Sequence, residues 1–275
     1  MPPAYLALEL TLSHTVVAAS EALVDEIEAW LDAEEAGYGQ ALNDWYDDNC
    51  AGPEPVRGFR CNWDTTKDRW RRGIDRLDVL TVGSRSVGFL SGTDILEIKP
   101  DLRGLGYGRV LAQFMLDRLF AEGHSVAEIG IAPASAKPFW IAMGFTPVEE
   151  RPDHGAGIYA YKLLPRRFEL GSGERVPYEI EFFSEEGRYE TPPRPFVSYS
   201  GMGELMKDGS VKLPERIVCM NPLDDQQVDY FVRLTVNGQE LIFDKVKRET
   251  ARRAGLRSDP GYNHYVDSMR AVTGD

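Results

Sequence analysis

The chain has 275 residues, of which 43% are hydrophobic and 27% are charged, so its composition excludes wholesale disorder. The sequence has no run of about 18 apolar residues, so it predicts no membrane-spanning helix. The first residues lack the basic segment of a signal peptide. The net charge of -13 argues against a nucleic-acid partner. Three widely spaced cysteines favour neither a disulfide framework nor a zinc site, and we expect a cytoplasmic protein without a metal.

The acidic residues are concentrated at the beginning of the chain. Residues 1–56 contain twelve Asp and Glu residues and no Lys or Arg. The segment includes Glu34 and Glu35, and further on Asp44-Trp45-Tyr46-Asp47-Asp48. Carboxylates beside aromatic rings suit an ammonium ligand, although a solvated acidic helix face is the more common explanation of such a pattern.

The first part of the chain predicts a strand followed by helices. Residues 5–12 alternate in polarity as a half-buried strand does. The apolar spacing of the following residues predicts a helix over about 16–35. Glycines at 37 and 39 then separate it from a short helix around 41–46, and residues 64–73 favour a brief polar helix.

From residue 76 the pattern predicts alternating strands and helices. Three strands (77–82, 86–91 and 94–99) precede a glycine-rich break and a helix over about 109–122. A strand at 126–132, a short helix from Ser135 to Gly144, and a strand pair at 145–149 and 156–163 complete a domain that we place at residues 1–165.

Residues 166–275 predict a second, smaller, β-rich α+β domain. Alternation at 178–183 and 228–235 indicates strands, and Asn237-Gly238 is the strongest hairpin signal in the chain. Residues 188–195 indicate a loop, and two short helices are expected near 246–254 and 262–271. No motif of known chemistry occurs in this region.

One stretch predicts an anion site. After the strand that ends near Ile98, Arg103-Gly104-Leu105-Gly106-Tyr107-Gly108 forms a glycine-rich turn that opens a helix. Such a turn lets backbone N–H groups converge, and a helix N-terminus adds partial positive charge, so the arrangement suits a diphosphate. The glycine spacing fits neither the dinucleotide fingerprint nor the P-loop.

With its context, the turn resembles a known motif. The chain is similar to the GNAT superfamily of acetyl-CoA-dependent N-acetyltransferases, in which an Arg/Gln-x-x-Gly-x-Gly/Ala loop is followed by a segment like Ala136-x-x-Phe139-Trp140-x-x-x-Gly144-Phe145. The closing Tyr159–Leu164 resembles that family's last strand. The likeness is strong over 76–164, topological over 1–75 and absent from 166–275.

The resemblance implies an α/β fold with a mixed, mostly antiparallel sheet flanked by helices, and an acyltransferase that uses acetyl-CoA as co-substrate. It implies that the diphosphate is bound by Arg103 and the backbone of Leu105–Gly108. The backbone of Ile98 would pair with the pantetheine arm, and the helix carrying Phe139 and Trp140 would flank that arm. The cofactor-binding residues implied are thus Ile98, Arg103, Gly104, Leu105, Gly106, Tyr107, Gly108, Phe139 and Trp140.

Acyl transfer to an amine also requires a base, because an amine of pKa about 10.4 is almost fully protonated at neutral pH. Glu97 lies in mid-strand next to Ile98, and we select it as the catalytic base, with Asp94, Glu128 and His154 as weaker candidates. Trp140 stands where the family often has Tyr, and indole is not an acid at ordinary pH. The acid is therefore unassigned, with Tyr107, Tyr159 and Tyr161 as substitutes.

The leading hypothesis is an N-acetyltransferase that acts on a cationic amine of a small molecule or protein by direct transfer. The C-terminal domain would shape the acceptor site, bind a partner or pair two copies into a homodimer. One alternative is a non-catalytic acyl-CoA-binding or protein-interaction module. Another is a toxin-like aminoacyl-tRNA acetyltransferase, which the small basic cluster of Arg69, Arg71, Arg72 and Arg76 favours and the net charge opposes.

Overall fold

The computed structural model describes residues 13–93, 95–152, 157–224 and 229–271. The chain divides into two compact units, Met1–Asp117 and Arg118–Asp275. All strand pairs in the described residues are antiparallel. The fold is therefore mixed α/β with antiparallel sheets and a separate β-rich region, in agreement with the fold class predicted from the sequence. None of the helices described is long and apolar enough to cross a membrane.

The first unit contains a four-stranded sheet in the order β1-β2-β3-β4. Its strands are β1 (His14–Ala18), β2 (Leu77–Val82), β3 (Arg85–Ser91) and β4 (Ile95–Ile98). Helices α1 (Glu21–Asp47) and α2 (Arg60–Arg71) lie between β1 and β2 in the chain, and α3 (Tyr107–Glu122) continues past the point of division.

At the beginning of the unit, two predictions made from the sequence were wrong. The strand predicted at 5–12 lies outside the described residues. The helix predicted from Val16 was wrong there, because 14–18 is a strand on which Val16 lies opposite Leu80. The helix begins only at Glu21, after Ser20, whose hydroxyl accepts the N–H of Leu23 at 3.4 Å. It then continues through both glycines to Asp47, so the predicted break at 37–39 was also wrong. A glycine inside a helix costs only about 1 kcal/mol.

One face of this sheet is covered by a largely aromatic core. The ring of Phe89 lies 6.0 Å from Trp30, 5.6 Å from Phe59 and 5.2 Å from Trp63, between ring centroids. Phe89 and Trp63 are fully buried. The rings come from α1, the start of α2 and β3, so this core fixes both helices against the sheet.

The second unit contains two sheets. A three-stranded sheet has the order β5-β7-β6, and a seven-stranded sheet has the order β12-β11-β8-β9-β10-β14-β13, counted over the described residues. Helices α4 (Lys137–Ala142), α5 (Glu185–Tyr189) and α6 (Glu249–Ala254) are short. The strands are β5 (Val126–Ile131), β6 (Thr146–Pro152), β7 (Ile158–Leu163), β8 (Arg175–Phe183), β9 (Val197–Leu205), β10 (Val211–Val218), β11 (Phe231–Val236), β12 (Gln239–Lys245), β13 (Leu256–Ser258) and β14 (His264–Met269).

Polar contacts bind residues 118–165 to the residues that follow them. The guanidinium of Arg216 donates to the carbonyl oxygen of Gly123 at 3.2 Å and lies 2.8 Å from the carboxylate of Asp267. The N–H of Ser125 donates to Asp259 at 2.6 Å. These contacts join residues 118–165 to the region that follows, and the domain boundary that the sequence placed at 165/166 stays a prediction.

The hairpin signal at Asn237-Gly238 is confirmed. These residues connect β11 to β12, with φ of 51° and 74°. The helix predicted over 262–271 was wrong, because β14 occupies 264–269 and pairs with both β10 and β13. Its apolar residues Tyr262, Tyr265, Val266 and Met269 have helical spacing, so the periodicity was misleading and pairing with distant strands determined the structure.

Candidate active site

The glycine-rich turn has the geometry that the sequence predicted. A single 3-10 turn at Pro100–Leu102 follows β4, and the chain then passes through Gly104 and Gly106 at φ of +81° and +91°. Both values lie in the region that favours glycine. The carbonyl oxygen of Gly106 accepts the N–H groups of Arg109 and Val110, at 3.0 and 3.4 Å. Helix α3 therefore starts directly at the end of the turn.

The first N–H groups of α3 are free for an external acceptor. The N–H groups of the first helical residues, Tyr107 and Gly108, have no partner inside a helix by geometry. Within the described residues, no acceptor is found for the backbone N–H groups of residues 104–108. The turn is also open, since Gly104, Leu105 and Gly106 are exposed and no atom lies within 4 Å of a Cβ built on either glycine. The arrangement suits a phosphate-bearing ligand.

Strand β4 offers a second set of backbone groups. Among the described residues it pairs with β3 alone, as an edge strand of the four-stranded sheet. The N–H of Lys99 donates to the carbonyl oxygen of Val87 at 3.0 Å. Because hydrogen bonding alternates along an antiparallel pair, the N–H and C=O of Ile98 point away from β3. The N–H of Ile98 can therefore pair with an extended ligand at this edge.

Arg103 is held by groups of the protein itself. Its Nε donates to the carbonyl oxygen of Ile98 at 2.9 Å. Its Nη2 lies 3.0 Å from Oε1 of Glu34 and 3.5 Å from Oε2 of Glu97. The guanidinium thus links the end of β4 to α1 and lies between two carboxylates.

Glu97 is the titratable group of this unit that is best suited to proton transfer. It lies opposite Phe89 in the β3–β4 pair, so its side chain shares the face of the aromatic core. Burial raises the pKa of Glu97 to about 7; the charge of Arg103 lowers it and that of Glu34 raises it. Glu97 is therefore poised to gain and lose a proton near neutral pH.

Glu34 is a residue whose role the sequence did not predict. Its side chain is only 14% exposed, and its Oε2 is buried without a hydrogen-bond partner among the described residues. A Cβ at Gly58 would lie 2.6 Å from the carboxyl carbon of Glu34, so this glycine makes room for the carboxylate. No local signal could reveal the pairing, because 69 positions separate Glu34 from Arg103.

The weaker candidates for the base stay predictions. Asp94 and His154 lie outside the described residues. Glu128 belongs to the second unit, where its Oε1 accepts the hydroxyl of Tyr159 at 2.6 Å. Burial and the hydrogen bond to Glu128 raise the pKa of Tyr159 far above its usual value, which makes this phenol a poor acid.

Phe139 and Trp140 also belong to the second unit. Trp140 is 8% exposed and packs edge-on against Phe139 and Phe145, with ring centroids 5.0 and 5.2 Å apart. Its indole is part of an aromatic cluster at the end of α4. The flanking role that the resemblance implies for these two residues stays a prediction.

Four acidic residues of helix α1 pair with basic residues of α2 and the loop before it. Acids at Glu21, Glu28, Asp32 and Glu35 form ion pairs with Arg71, Lys67, Arg60 and Arg57, respectively. Charge on this helix face is therefore paired within the unit. The end of α1 differs, because Tyr46 is 59% exposed there beside Trp45 and its last turn contains no basic residue.

The basic cluster near residue 70 is paired in the same way. Arg69, Arg71, Arg72 and Arg76 form ion pairs with Asp75, Glu21, Asp68 and Asp78, respectively. A surface that binds nucleic acid needs basic side chains that can replace counterions on the phosphates. Each of these four arginines already has a carboxylate partner.

Comparisons with known proteins concern the fold. No family model matches the chain, and no curated protein matches its sequence. The PaiA N-acetyltransferase of Thermoplasma acidophilum, solved in complex with coenzyme A, is similar over 56% of this chain and 100% of its own, at 13% identity and a TM-score of 0.39. The ribosomal-protein-S18-alanine N-acetyltransferase of Escherichia coli is similar over 59% of this chain and 99% of its own, at 14% identity and a TM-score of 0.35.

A GNAT-family acetyltransferase of Staphylococcus aureus Mu50 is similar over 55% of this chain and 99% of its own, at 10% identity and a TM-score of 0.38. All three of these solved proteins are acetyltransferases. Their TM-scores lie below 0.5, so the case for an activity rests on the residues described above.

Proposed function

We propose that the protein is an N-acetyltransferase that moves an acetyl group from acetyl-CoA directly to a primary amine. The observation that carries this proposal is the position of Glu97. This carboxyl group, with a pKa near 7, lies on the strand that leads into the open glycine turn and next to Ile98, whose backbone N–H points away from β3.

The backbone would hold the coenzyme. The unpaired N–H groups between Gly104 and Gly108 bind the diphosphate, and the N–H of Ile98 binds an amide carbonyl of the pantetheine arm. Arg103 is a predicted ligand of the diphosphate. Since its guanidinium contacts Glu34 and Glu97, the backbone would provide most of the diphosphate binding.

Bound acetyl-CoA supplies an activated acyl group whose thiol leaving group has a pKa near that of cysteine, about 8.5, so departure does not require a strong acid. The residues of this chain would supply the second requirement, which is deprotonation of the amine. At pH 7 an amine of pKa about 10.4 is neutral in only about one molecule in 2,500. Glu97 accepts the ammonium proton at a carboxylate oxygen and leaves the nitrogen lone pair free for attack.

The charge at this site also favours a cationic acceptor. Glu34 and ionised Glu97 surround the single positive charge of Arg103, which leaves a net charge of -1 among the three groups. An ammonium group approaching Glu97 is attracted before it is deprotonated. The acceptor is therefore a protonated amine of a small molecule or protein.

Release of the coenzyme A thiol, measured with the full chain over a panel of amines and peptides, tests this proposal. We expect turnover with at least one primary amine, and a loss of about 100-fold or more in kcat for Glu97→Gln at unchanged coenzyme A affinity. Glu149→Gln is the matched control, because Glu149 is 65% exposed and pairs only with Lys137 among the described residues. Binding of coenzyme A with no turnover on any amine would instead support a non-catalytic acyl-CoA-binding module.

A further inference from the structure

The cations around the glycine-rich turn are not equally available to an anion. Nη2 of Arg103 lies 3.0 Å from a carboxylate oxygen of Glu34 and 3.5 Å from one of Glu97. Nζ of Lys99 lies 3.7 Å from a carboxylate oxygen of Asp101. Both side chains therefore already face negative charge that belongs to the protein.

Arg109 differs from these two residues. It is exposed and is the third residue of α3. Among the described residues, its guanidinium has no hydrogen-bond or ion-pair partner. The positions three and four residues further along the helix are Ala112 and Gln113, so no acid of the neighbouring helical turn can pair with it. Its N–H donors are therefore available to a ligand.

The position of Arg109 is unfavourable for the helix itself. The N-terminus of a helix carries partial positive charge, which stabilises acids there and disfavours cations. The first turn of α3 contains no acid, and Arg109 follows directly after the free N–H groups of Tyr107 and Gly108. Folding of the free protein gives no reason for an unpaired cation at this place. An anion at the turn would make the same cation favourable.

The Arg109 side chain is placed to reach such an anion. The residue lies two positions past Tyr107, which is about 3 Å along the helix axis. Side chains of a helix lean toward its N-terminus, so this long side chain leans toward the turn. The turn itself leaves the approach open, since no atom lies within 4 Å of a Cβ built on Gly104 or Gly106.

Arg103 could serve an anion only at a cost. The side chains of Glu34 and Glu97 are 14% and 25% exposed, so both carboxylates are largely out of water. A largely buried carboxylate that loses its cation is strongly destabilised. If Arg103 kept both partners, the diphosphate would lie beside two negative charges. Arg109 has no carboxylate to give up.

We propose that Arg109, in place of Arg103, is the side chain that neutralises the diphosphate of the bound coenzyme, and that Arg103 is a positioning residue for Glu97. The motif resemblance implies Arg103 for the first of these roles. The inference rests on the proposed function and assigns separate tasks to the two arginines. The backbone N–H groups of the turn still bind the phosphate oxygens, and Arg109 adds the charge that they lack.

Calorimetric titration of the full chain with coenzyme A and with dephospho-coenzyme A tests the assignment. Dephospho-coenzyme A keeps the diphosphate and lacks the 3′-phosphate. Arg109→Ala should weaken the binding of both compounds by about tenfold or more. A loss confined to coenzyme A would place Arg109 at the 3′-phosphate and would overturn the assignment, as would unchanged affinity for both.

Arg103→Gln should give the opposite pattern. Its affinity for both compounds should stay within about threefold of the wild type, because Arg109 and the backbone remain. The midpoint of its pH–rate profile should move to higher pH, since the charge of Arg103 lowers the pKa of Glu97. A loss of affinity in Arg103→Gln as large as that in Arg109→Ala, or an unmoved profile, would contradict the division of tasks.

Two controls separate binding from folding and from net charge. Arg72→Ala removes the same charge from α2, where the side chain is 65% exposed and pairs with Asp68, and it should leave both affinities unchanged. Arg109→Ala should unfold at the wild-type temperature or above it, because it removes a cation from a helix N-terminus. Lowered stability would assign Arg109 a structural role. Failure of this inference alone would leave coenzyme binding intact, whereas a wild type that binds neither compound would overturn the proposed function as well.

Discussion

Nη2 of Arg103 lies 3.5 Å from Oε2 of Glu97, and the same guanidinium bonds the carbonyl oxygen of Ile98 through Nε. A cation this close ordinarily depresses the pKa of a carboxyl group. Glu97 nevertheless has a raised pKa of about 7, because burial against the aromatic core outweighs the attraction. The pair therefore combines a base of useful strength with a group that fixes its position.

Activity should depend on pH through Glu97. Its proton dissociates near pH 7, so kcat/KM of the wild type should rise with pH up to about 7 and level off above it. In Glu97→Gln the rise through this range should disappear together with most of the activity. A pH–rate series on both proteins measures this, and an unchanged profile in the variant would remove Glu97 as the base.

Glu34 should influence the pKa of Glu97 without contacting the substrate. Its charge raises the pKa of Glu97, and it shares the guanidinium of Arg103. Glu34→Gln should therefore move the midpoint of the pH–rate profile to lower pH. Glu35→Gln is the matched control, since Glu35 pairs with Arg57 instead. Equal profiles for the two variants would contradict this positioning role.

Ionisation of Glu97, which activates the base, should lower the stability of the folded protein. The pKa of Glu97 is higher in the folded protein than the ordinary value of 4.5, so the folded state binds more protons and loses stability as pH rises from about 4.5 to about 7. Relative to wild type, Glu97→Gln should gain about 2–3 kcal/mol in free energy of unfolding between pH 4 and pH 8. Denaturant unfolding at both pH values checks this, and a constant difference would contradict the raised pKa.

The glycines of the turn and those of α1 should respond to alanine in opposite directions. Gly106 has a φ of +91°, so Gly106→Ala should cost about 1–2 kcal/mol of stability and weaken coenzyme A binding. Gly39 lies in α1 with nothing within 4 Å of a built Cβ, so Gly39→Ala should stabilise by about 0.5–1 kcal/mol. Thermal unfolding of both variants measures the contrast, and a stabilised Gly106→Ala would show that the turn does not have this conformation.

The sequence was a good guide wherever local chemistry determines the structure. Glycines at 104 and 106 predicted the turn before α3, and Asn237-Gly238 predicted a hairpin, because positive φ is a property of the residue itself. Strands β2, β3 and β4 followed from their composition and the glycines between them.

The sequence was a poor guide wherever distant partners determine the outcome. β14 lies in a segment with the apolar spacing of a helix, and it is a strand because β10, far earlier in the chain, pairs with it. The two carboxylates beside Arg103 come from α1 and β4. The charged neighbours of Glu97 are therefore a product of tertiary structure, which the local sequence does not show.

Calorimetric titration of the full chain with coenzyme A and with pantetheine tests the central claim most directly. Pantetheine keeps the thiol and the amide arm but lacks the diphosphate and the 3′-phosphoadenosine, so Gly106→Ala is needed to assign the difference to the turn. If the N–H groups of residues 104–108 hold that diphosphate, coenzyme A should bind about 100-fold more tightly or better, and Gly106→Ala should reduce this advantage. Equal affinity for the two compounds, or no binding of coenzyme A, would contradict the account.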